Sequence, residues 1–353
     1  MKSNLLYFYP SRATFVQKDI AILSGDYLVK TQDLPWTNKS LLPLNFLKQF
    51  FFILKNAKQS HVVIVMFGGY WSFLPALLGK LFHKKVFVIL GGTDCVSFPE
   101  FNYGSLRKQP LRWFIKKSFQ WAYKLLPVDD SLMFSNYNYL PNAMHKTQGV
   151  KAFFKNLKTP FTVIPNGFDT EFWDVKNATK KSKSFLSIAF VNDDTRLTLK
   201  GFDTVIKLAR DFKEASFTLV GLTKRFANRL ELPKNVRVYE YLNPSELKKE
   251  IAKHQFYLQL SLSEGFPNAL AEAMLGQCIP IGTAVGGMPK IIGKTGVVLE
   301  QQNDVVLQEQ IQKLLDLSEA ELHTMGLSAK AQISDNFSLE KRAELLSLTL
   351  TED

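Results

Sequence analysis

Short, nearly continuous apolar runs alternate with amphipathic stretches along the whole chain, and this rhythm restricts the fold more than any other feature. In the first half the runs read as strands at Leu5–Tyr9, His61–Phe67, Lys85–Leu90 and Phe161–Ile164. Helices are predicted between them at Thr14–Leu23, Leu44–Lys55, Ser72–Phe82 and Leu106–Leu125. In the second half the strands fall at Phe185–Val191, Ser216–Val220, Val236–Tyr239, Phe256–Leu260, Ile279–Gly282 and Val297–Leu299. The matching helices are Gly201–Phe212, Ser245–His254, Asn268–Leu275, Val305–Leu317 and Ser338–Leu350. Strands without polar alternation, separated by helices, indicate parallel sheets covered on both faces. Two such sets in 353 residues predict an α/β chain of two Rossmann-like domains facing across a cleft. In such sheets ligands bind beyond the carboxyl ends of the strands, so both domains would present ligand loops to that cleft.

The expected boundary lies at Pro165-Asn166-Gly167, where turn formers follow the strand FTVIP, giving domains over 1–165 and 166–335. The Lys-rich piece Lys176–Lys183 reads as a solvated loop before the first strand of the second domain. Charge divides the same way. Residues 1–165 hold 21 Lys+Arg against 7 Asp+Glu, and the remainder holds 23 against 25. A basic half can face nucleic acid, an anionic membrane or a phosphorylated substrate. Residues 59–79 lack any charged side chain, but a β-branched run, Gly68-Gly69 and a Pro-containing amphipathic segment make them a buried strand–turn–helix rather than a span. The apolar run after Met1 is too short for a signal peptide. Cys95 and Cys278 cannot form a disulfide framework, which points to a reducing, cytoplasmic compartment.

The chemistry concentrates in SLSEGFPNALAEAMLGQCIPIGTAVGGMPKIIG, Ser261 to Gly293. A strand runs into Glu264-Gly265-Phe266-Pro267, and Asn268 opens a helix through Ala269 and Leu270, with Pro267 suited to its start. The first amides of that helix make an anion site for phosphate. Glu264 before the helix and Glu272 inside it suit sugar hydroxyls on either side of such a phosphate. The plainer reading makes Glu264 a cap acid and Glu272 a solvated helix residue.

The whole string, with Gly276, Pro280 and Gly286-Gly287, resembles the E-x7-E signature of retaining GT-B glycosyltransferases of group 1, family 4. Ile164-Pro165-Asn166-Gly167-Phe168-Asp169 resembles that family's inter-domain IPNGVD segment, and Lys200-Gly201 its KG motif, with Arg196 just upstream. The resemblance implies transfer of a sugar from a UDP- or GDP-linked donor to an acceptor hydroxyl with retained configuration. It implies a C-terminal nucleotide-sugar-binding domain, an N-terminal acceptor-binding domain and a helix over 336–353 packing back towards the latter. It places Glu272 on the ribose, Glu264 at the donor sugar as a catalytic residue, and Arg196, Lys200 and the Gly265–Leu270 turn on the diphosphate, with Asn166 also in the donor site. No metal and no further cofactor is implied.

The N-terminal half matches less closely. Ser11 and Arg12 follow the first strand where relatives have a Gly-rich acceptor and phosphate loop, yet the Gly-Gly pair is missing. In Gly91-Gly92-Thr93-Asp94 a glycine stands where relatives carry a histidine, leaving Asp94 as the candidate catalytic residue or a helix cap. Arg107 to Lys124 and Lys151 to Lys158 interleave cations with aromatic residues, which suits either a cytoplasmic enzyme resting on the inner membrane face or a core-packed helix with a solvated basic face. The resemblance implies a glycan or lipid-linked acceptor in cell-surface glycan synthesis. Nucleic acid is not expected as a partner, because no recognised module accompanies the charge. No G-x-G-x-x-G follows the first strand, which argues against a nicotinamide enzyme. A non-catalytic bilobed sugar-binding protein and a nucleotide-sugar epimerase of the same fold remain as alternatives.

Overall fold

The computed structural model describes residues 2–175 and 179–352. The chain forms two compact units: Met1–Asn136, Met144–Asn166 and Arg342–Asp353 in the first, Tyr137–Ala143 and Gly167–Lys341 in the second.

The sheet of the first unit contains β1 (Ser3–Phe8), β2 (Tyr27–Thr31), β3 (Ser60–Met66), β4 (Lys85–Leu90) and β5 (Lys124–Pro127), in the order β2-β1-β3-β4-β5. Every pairing is parallel. Leu5, Ile64, Val65, Phe87 and Val88 are fully buried, as continuous apolar strands require. The edge strand β2 escapes sequence reading because YLVKT is only half-buried and carries a lysine. The expected helix Leu106–Leu125 is shorter, Leu111–Trp121, since Leu125 and Leu126 belong to β5. Phe161–Ile164 is not a full strand: it makes one bridge, Phe161 to Leu125, and lies along β5 through backbone bonds to Leu125 and Pro127. A short antiparallel pair, β6 (Ser135–Asn136) and β7 (Thr147–Gln148), follows. Residues 59–79 form β3, a turn and the helix Tyr70–Leu81. No helix among the described residues is long and apolar enough to cross a membrane.

A buried ion pair ties the end of the chain into this unit. Arg342, on the last helix Leu339–Thr351, donates from Nε and Nη2 to Asp19 at 2.7 and 2.8 Å. Its Nη1 donates to the carbonyls of Ile164 and Pro165, and Tyr7 donates to the same carboxylate.

The second unit carries β8 (Lys181–Val191), β9 (Ser216–Leu222), β10 (Val236–Tyr239), β11 (His254–Gln259), β12 (Ile279–Thr283) and β13 (Val297–Leu299). The order is β10-β9-β8-β11-β12-β13, again all parallel. The expected loop Lys176–Lys183 is only partly one. Lys181–Lys183 already belong to β8, and Lys176, Asn177 and Ala178 lie outside the described residues. The helix Glu319–Asn336 has no counterpart in the sequence reading. Its buried face is Leu322, Gly326, Ala329 and Ile333, two of them too small to register as an apolar stripe, although the capping box Ser318–Glu321 marks its start.

Strand order reverses between β8 and β11 in this sheet, and between β1 and β3 in the other. Ligand crevices of open α/β sheets form at such switch points, outside the carboxyl ends of the strands.

Candidate active site

The switch point of the second unit brings the sequence motifs together. After β8, Asp193 caps the short helix Asp194–Leu199 by accepting from the Arg196 amide at 2.8 Å. Asp194–Leu199, just before Lys200, is thus helical, which sets Arg196 and Lys200 one turn apart. Gly201 follows with φ +71°, and a Cβ there would stand 2.2 Å from the Leu260 carbonyl, so only glycine lets this turn lie against the end of β11. The Leu262 amide donates to Leu199 O at 2.9 Å and holds the two loops together.

Lys200 Nζ donates to Glu264 Oε1 at 2.6 Å, joining the KG and EGFP motifs at this crevice. Gln259, the last residue of β11, donates to the same oxygen at 3.2 Å and to Ser261 Oγ at 2.9 Å. Tyr257 donates to Gln259 Oε1 at 2.9 Å. Burial, then the nearby Glu264 and Glu272, push the Tyr257 phenol well above its ordinary range and keep it a neutral donor. Sequence reasoning missed Gln259 and Tyr257. The detectable signal was a glutamine in an otherwise apolar strand, FYLQL.

Pro267 stands at the N-cap of the helix Asn268–Leu275, whose first-turn amides have no earlier acceptor in the helix. Glu272 is half-buried on that helix. The Gly286-Gly287 pair braces the loop: Gly287 donates to Gly265 O at 2.8 Å, and a Cβ on Gly286 (φ +57°) would lie 2.0 Å from Glu264 O. Phe266 is buried and packs on Phe168 and Phe337 at centroid distances of 6.2 and 5.2 Å, so its ring anchors the loop. Arg196 is exposed, with its guanidinium over the Phe190 ring. Tyr137, a third residue missed, donates to Leu262 O at 2.7 Å. A cavity of about 580 Å³ elsewhere in this unit, lined by Lys180, His323 and Lys330 among others, includes none of the motif residues.

The first unit is less open at the corresponding loops. Asp94 is 2% exposed and accepts from the amides of Gly68, Gly91 and Gly92 at 2.8, 3.3 and 3.1 Å. Burial raises its carboxyl pKa against the pull of those amides. It ties two loops together, a structural role like the cap that was the alternative to a catalytic one. A Cβ on Gly91 would stand 1.8 Å from the Phe67 ring, so that ring fills the space a larger side chain there would need. Ser11 and Arg12 are exposed, with Arg12 Nε 3.9 Å from Asp33. Asn166 lies at the end of the first unit, half-buried, beside the Pro165 carbonyl that Arg342 holds. The aromatic residues of Leu111–Trp121 are largely tied to one another: Trp113, Phe114 and Trp121 all pack on Phe73. Among the described residues no three His, Cys, Asp or Glu side chains group as metal ligands would.

The described residues as a whole have the two-domain GT-B fold. Sucrose-phosphate synthase from Thermosynechococcus elongatus superposes with a TM-score of 0.73 at 13% identity, over 99% of this chain and 98% of the other. Anabaena Alr3699/HepE, solved in complex with UDP and glucose, superposes at 0.71 and 14% identity over the full length of both. Residues 171–332 match the family described as glycosyl transferases group 1. N-acetyl-alpha-D-glucosaminyl L-malate synthase of Bacillus anthracis is 33% identical over 135 residues, 36% of this chain and 35% of that protein. Trehalose synthase of Thermococcus litoralis is 37% identical over 89 residues, 25% and 21% of the two chains. The matches thus span about a third and a fifth of these curated relatives.

Proposed function

We propose that the protein is a retaining glycosyltransferase of the family 4 kind, moving a sugar from a UDP- or GDP-linked donor to a hydroxyl of a glycan or lipid-linked acceptor in cell-surface glycan synthesis. The observation that carries the reading is the Lys200–Glu264 pair, set at the strand-order switch and beside the first turn of the helix Asn268–Leu275. The donor diphosphate would lie on that turn, with Lys200 and Arg196 neutralising its charge. Glu272 would hold the ribose hydroxyls, and Glu264, oriented by Gln259, the donor sugar. A phosphate oxygen would draw Lys200 away from Glu264 and free the carboxylate for a sugar hydroxyl. In the step itself the acceptor oxygen bonds the anomeric carbon as the bond to the diphosphate breaks on the same face. The acceptor proton passes to the departing phosphate. A cavity of about 470 Å³ in the first unit, lined by Arg112, Lys116, His145 and Lys155 and by no acid, suits an anionic acceptor.

Calorimetric titration with a panel of UDP- and GDP-sugars, followed by product analysis with the best donor, tests the reading. Micromolar binding that weakens about tenfold or more in Lys200→Met is expected. An affinity indifferent to Lys200 would overturn the donor assignment. A second reading, a nucleotide-sugar-binding protein without turnover, draws on the Phe67 ring beside Gly91, where relatives carry a histidine. Release of free nucleoside diphosphate from the bound donor separates the two.

A further inference from the structure

The helix Leu42–Ala57 of the first unit is built inside out. Its buried positions include Asn45, Gln49 and Asn56, whose side-chain amides each donate to a backbone carbonyl nearby: Asn45 to Pro35 O, Gln49 to Trp71 O and Asn56 to Phe52 O. Its solvent face is apolar, with Leu44, Leu47, Phe51 and Leu54 exposed by 45, 54, 60 and 40%. At 100° per residue these four fall within an arc of about 80°, bordered on one side by the exposed Lys48 and Lys55. Scattered exposed leucines mean little, whereas a continuous stripe with polar residues turned inward marks a surface meant to be covered.

Charge selects the occupant. From Leu34 through Thr93 the chain has no acidic residue and seven lysines, three of them, Lys48, Lys55 and Lys58, on or just after this helix. An apolar stripe edged by lysines, on a helix too short to span, has the make-up of an element lying in the plane of a bilayer. We infer that the Leu42–Ala57 face docks on an anionic phospholipid surface, with Leu47 and Phe51 entering the acyl boundary and Lys48, Lys55 and Lys58 meeting the headgroups. The inference stands apart from sugar transfer, because it uses none of the residues of the donor site.

Flotation of the full chain with vesicles of phosphatidylglycerol and phosphatidylcholine in equal parts, against phosphatidylcholine alone, tests it. Co-flotation with the first at low salt, weaker by at least tenfold with the second, is expected. The double variant Leu47→Ser, Phe51→Ser should lose at least tenfold in vesicle partitioning while its thermal melting and nucleotide binding stay unchanged. Lys48→Glu with Lys55→Glu should lose as much and flatten the salt dependence. Phe51→Trp, which preserves the stripe, should shift its emission to the blue on adding the anionic vesicles. Absent flotation, or flotation indifferent to both double variants, overturns the proposal. So does sedimentation showing a lipid-free dimer that Leu47→Ser, Phe51→Ser converts to monomer, since the face would then be covered by a second copy.

Discussion

Each unit ends a parallel strand in a glycine-bearing loop with an acid, Asp94 after β4 and Glu264 after β11, and the two carboxylates are satisfied in opposite ways. Asp94 is enclosed and bonded by three backbone amides. Glu264 is partly open and bonded by two side chains, Lys200 and Gln259. Backbone partners cannot leave without unfolding a loop, whereas a lysine can swing to a phosphate and back. The first arrangement fixes a fold, and the second can exchange its partner for a ligand. Asp19, held by Arg342 inside the first unit, belongs with Asp94 in this division.

The strongest test of the division removes a partner from a locked acid. Arg342→Met strands the Asp19 carboxylate in a site where Arg342 is only 5% exposed. A loss of about 3–5 kcal/mol of stability is expected by denaturant titration, because a buried charge without its partner keeps its full desolvation cost. Asp94→Ala should cost about 2–4 kcal/mol by leaving the Gly68, Gly91 and Gly92 amides short of an acceptor. A variant as stable as the parent would remove the argument for Asp94 as a structural tie.

The exchangeable acid should behave in reverse. Glu264→Gln is expected to change stability by less than about 1 kcal/mol, since its ion pair is partly exposed. It should cut donor turnover by about a hundredfold with little change in nucleotide affinity, if its partner in the reaction is the sugar. A stability loss as large as that of Asp94→Ala would erase the contrast between the two loops.

The contrast was visible in the sequence only on one side. The alternation of apolar and amphipathic stretches was enough to place all six strands of the second sheet, the inner ones because buried parallel strands are continuous apolar runs that no helix period explains. EGFPNALAE and KG were legible because glycines and prolines impose backbone shapes wherever they stand, and Gly201 and Gly286 do so here at positive φ. What the sequence could not reveal depended on tertiary partners. Asp94 read equally as a cap or a cleft acid until the loops from β3 and β4 converged on it. The helix Glu319–Asn336 was hidden because its inner face is built of small residues, and the exposed stripe of Leu42–Ala57 because an apolar period does not say which side is buried. Gln259 could be noticed as a polar residue in an apolar strand, but its role needed Glu264 within reach.

The smallest expected effect concerns a titrating group that the second unit locks away from solvent. His254 is buried at the start of β11, where Nδ1 lies 2.8 Å from Glu250 O and Nε2 2.9 Å from Thr218 Oγ1. A carbonyl only accepts, so Nδ1 carries the proton and the Thr218 hydroxyl donates to Nε2. Burial lowers the His254 pKa, with Lys180 and Lys253 adding to the shift and Glu250 opposing it. The unfolded chain, with its imidazole near 6.5, therefore takes up the proton before the folded one does. Stability is complete above that pH and falls on acidification through it, by up to about 1.4 kcal/mol per unit until the folded imidazole also protonates. His254→Gln should lower stability at neutral pH but flatten the slope between pH 6.5 and 5.5 relative to the parent. An identical slope in both would mean that the imidazole titrates freely and that the fold does not lock this side chain away from solvent.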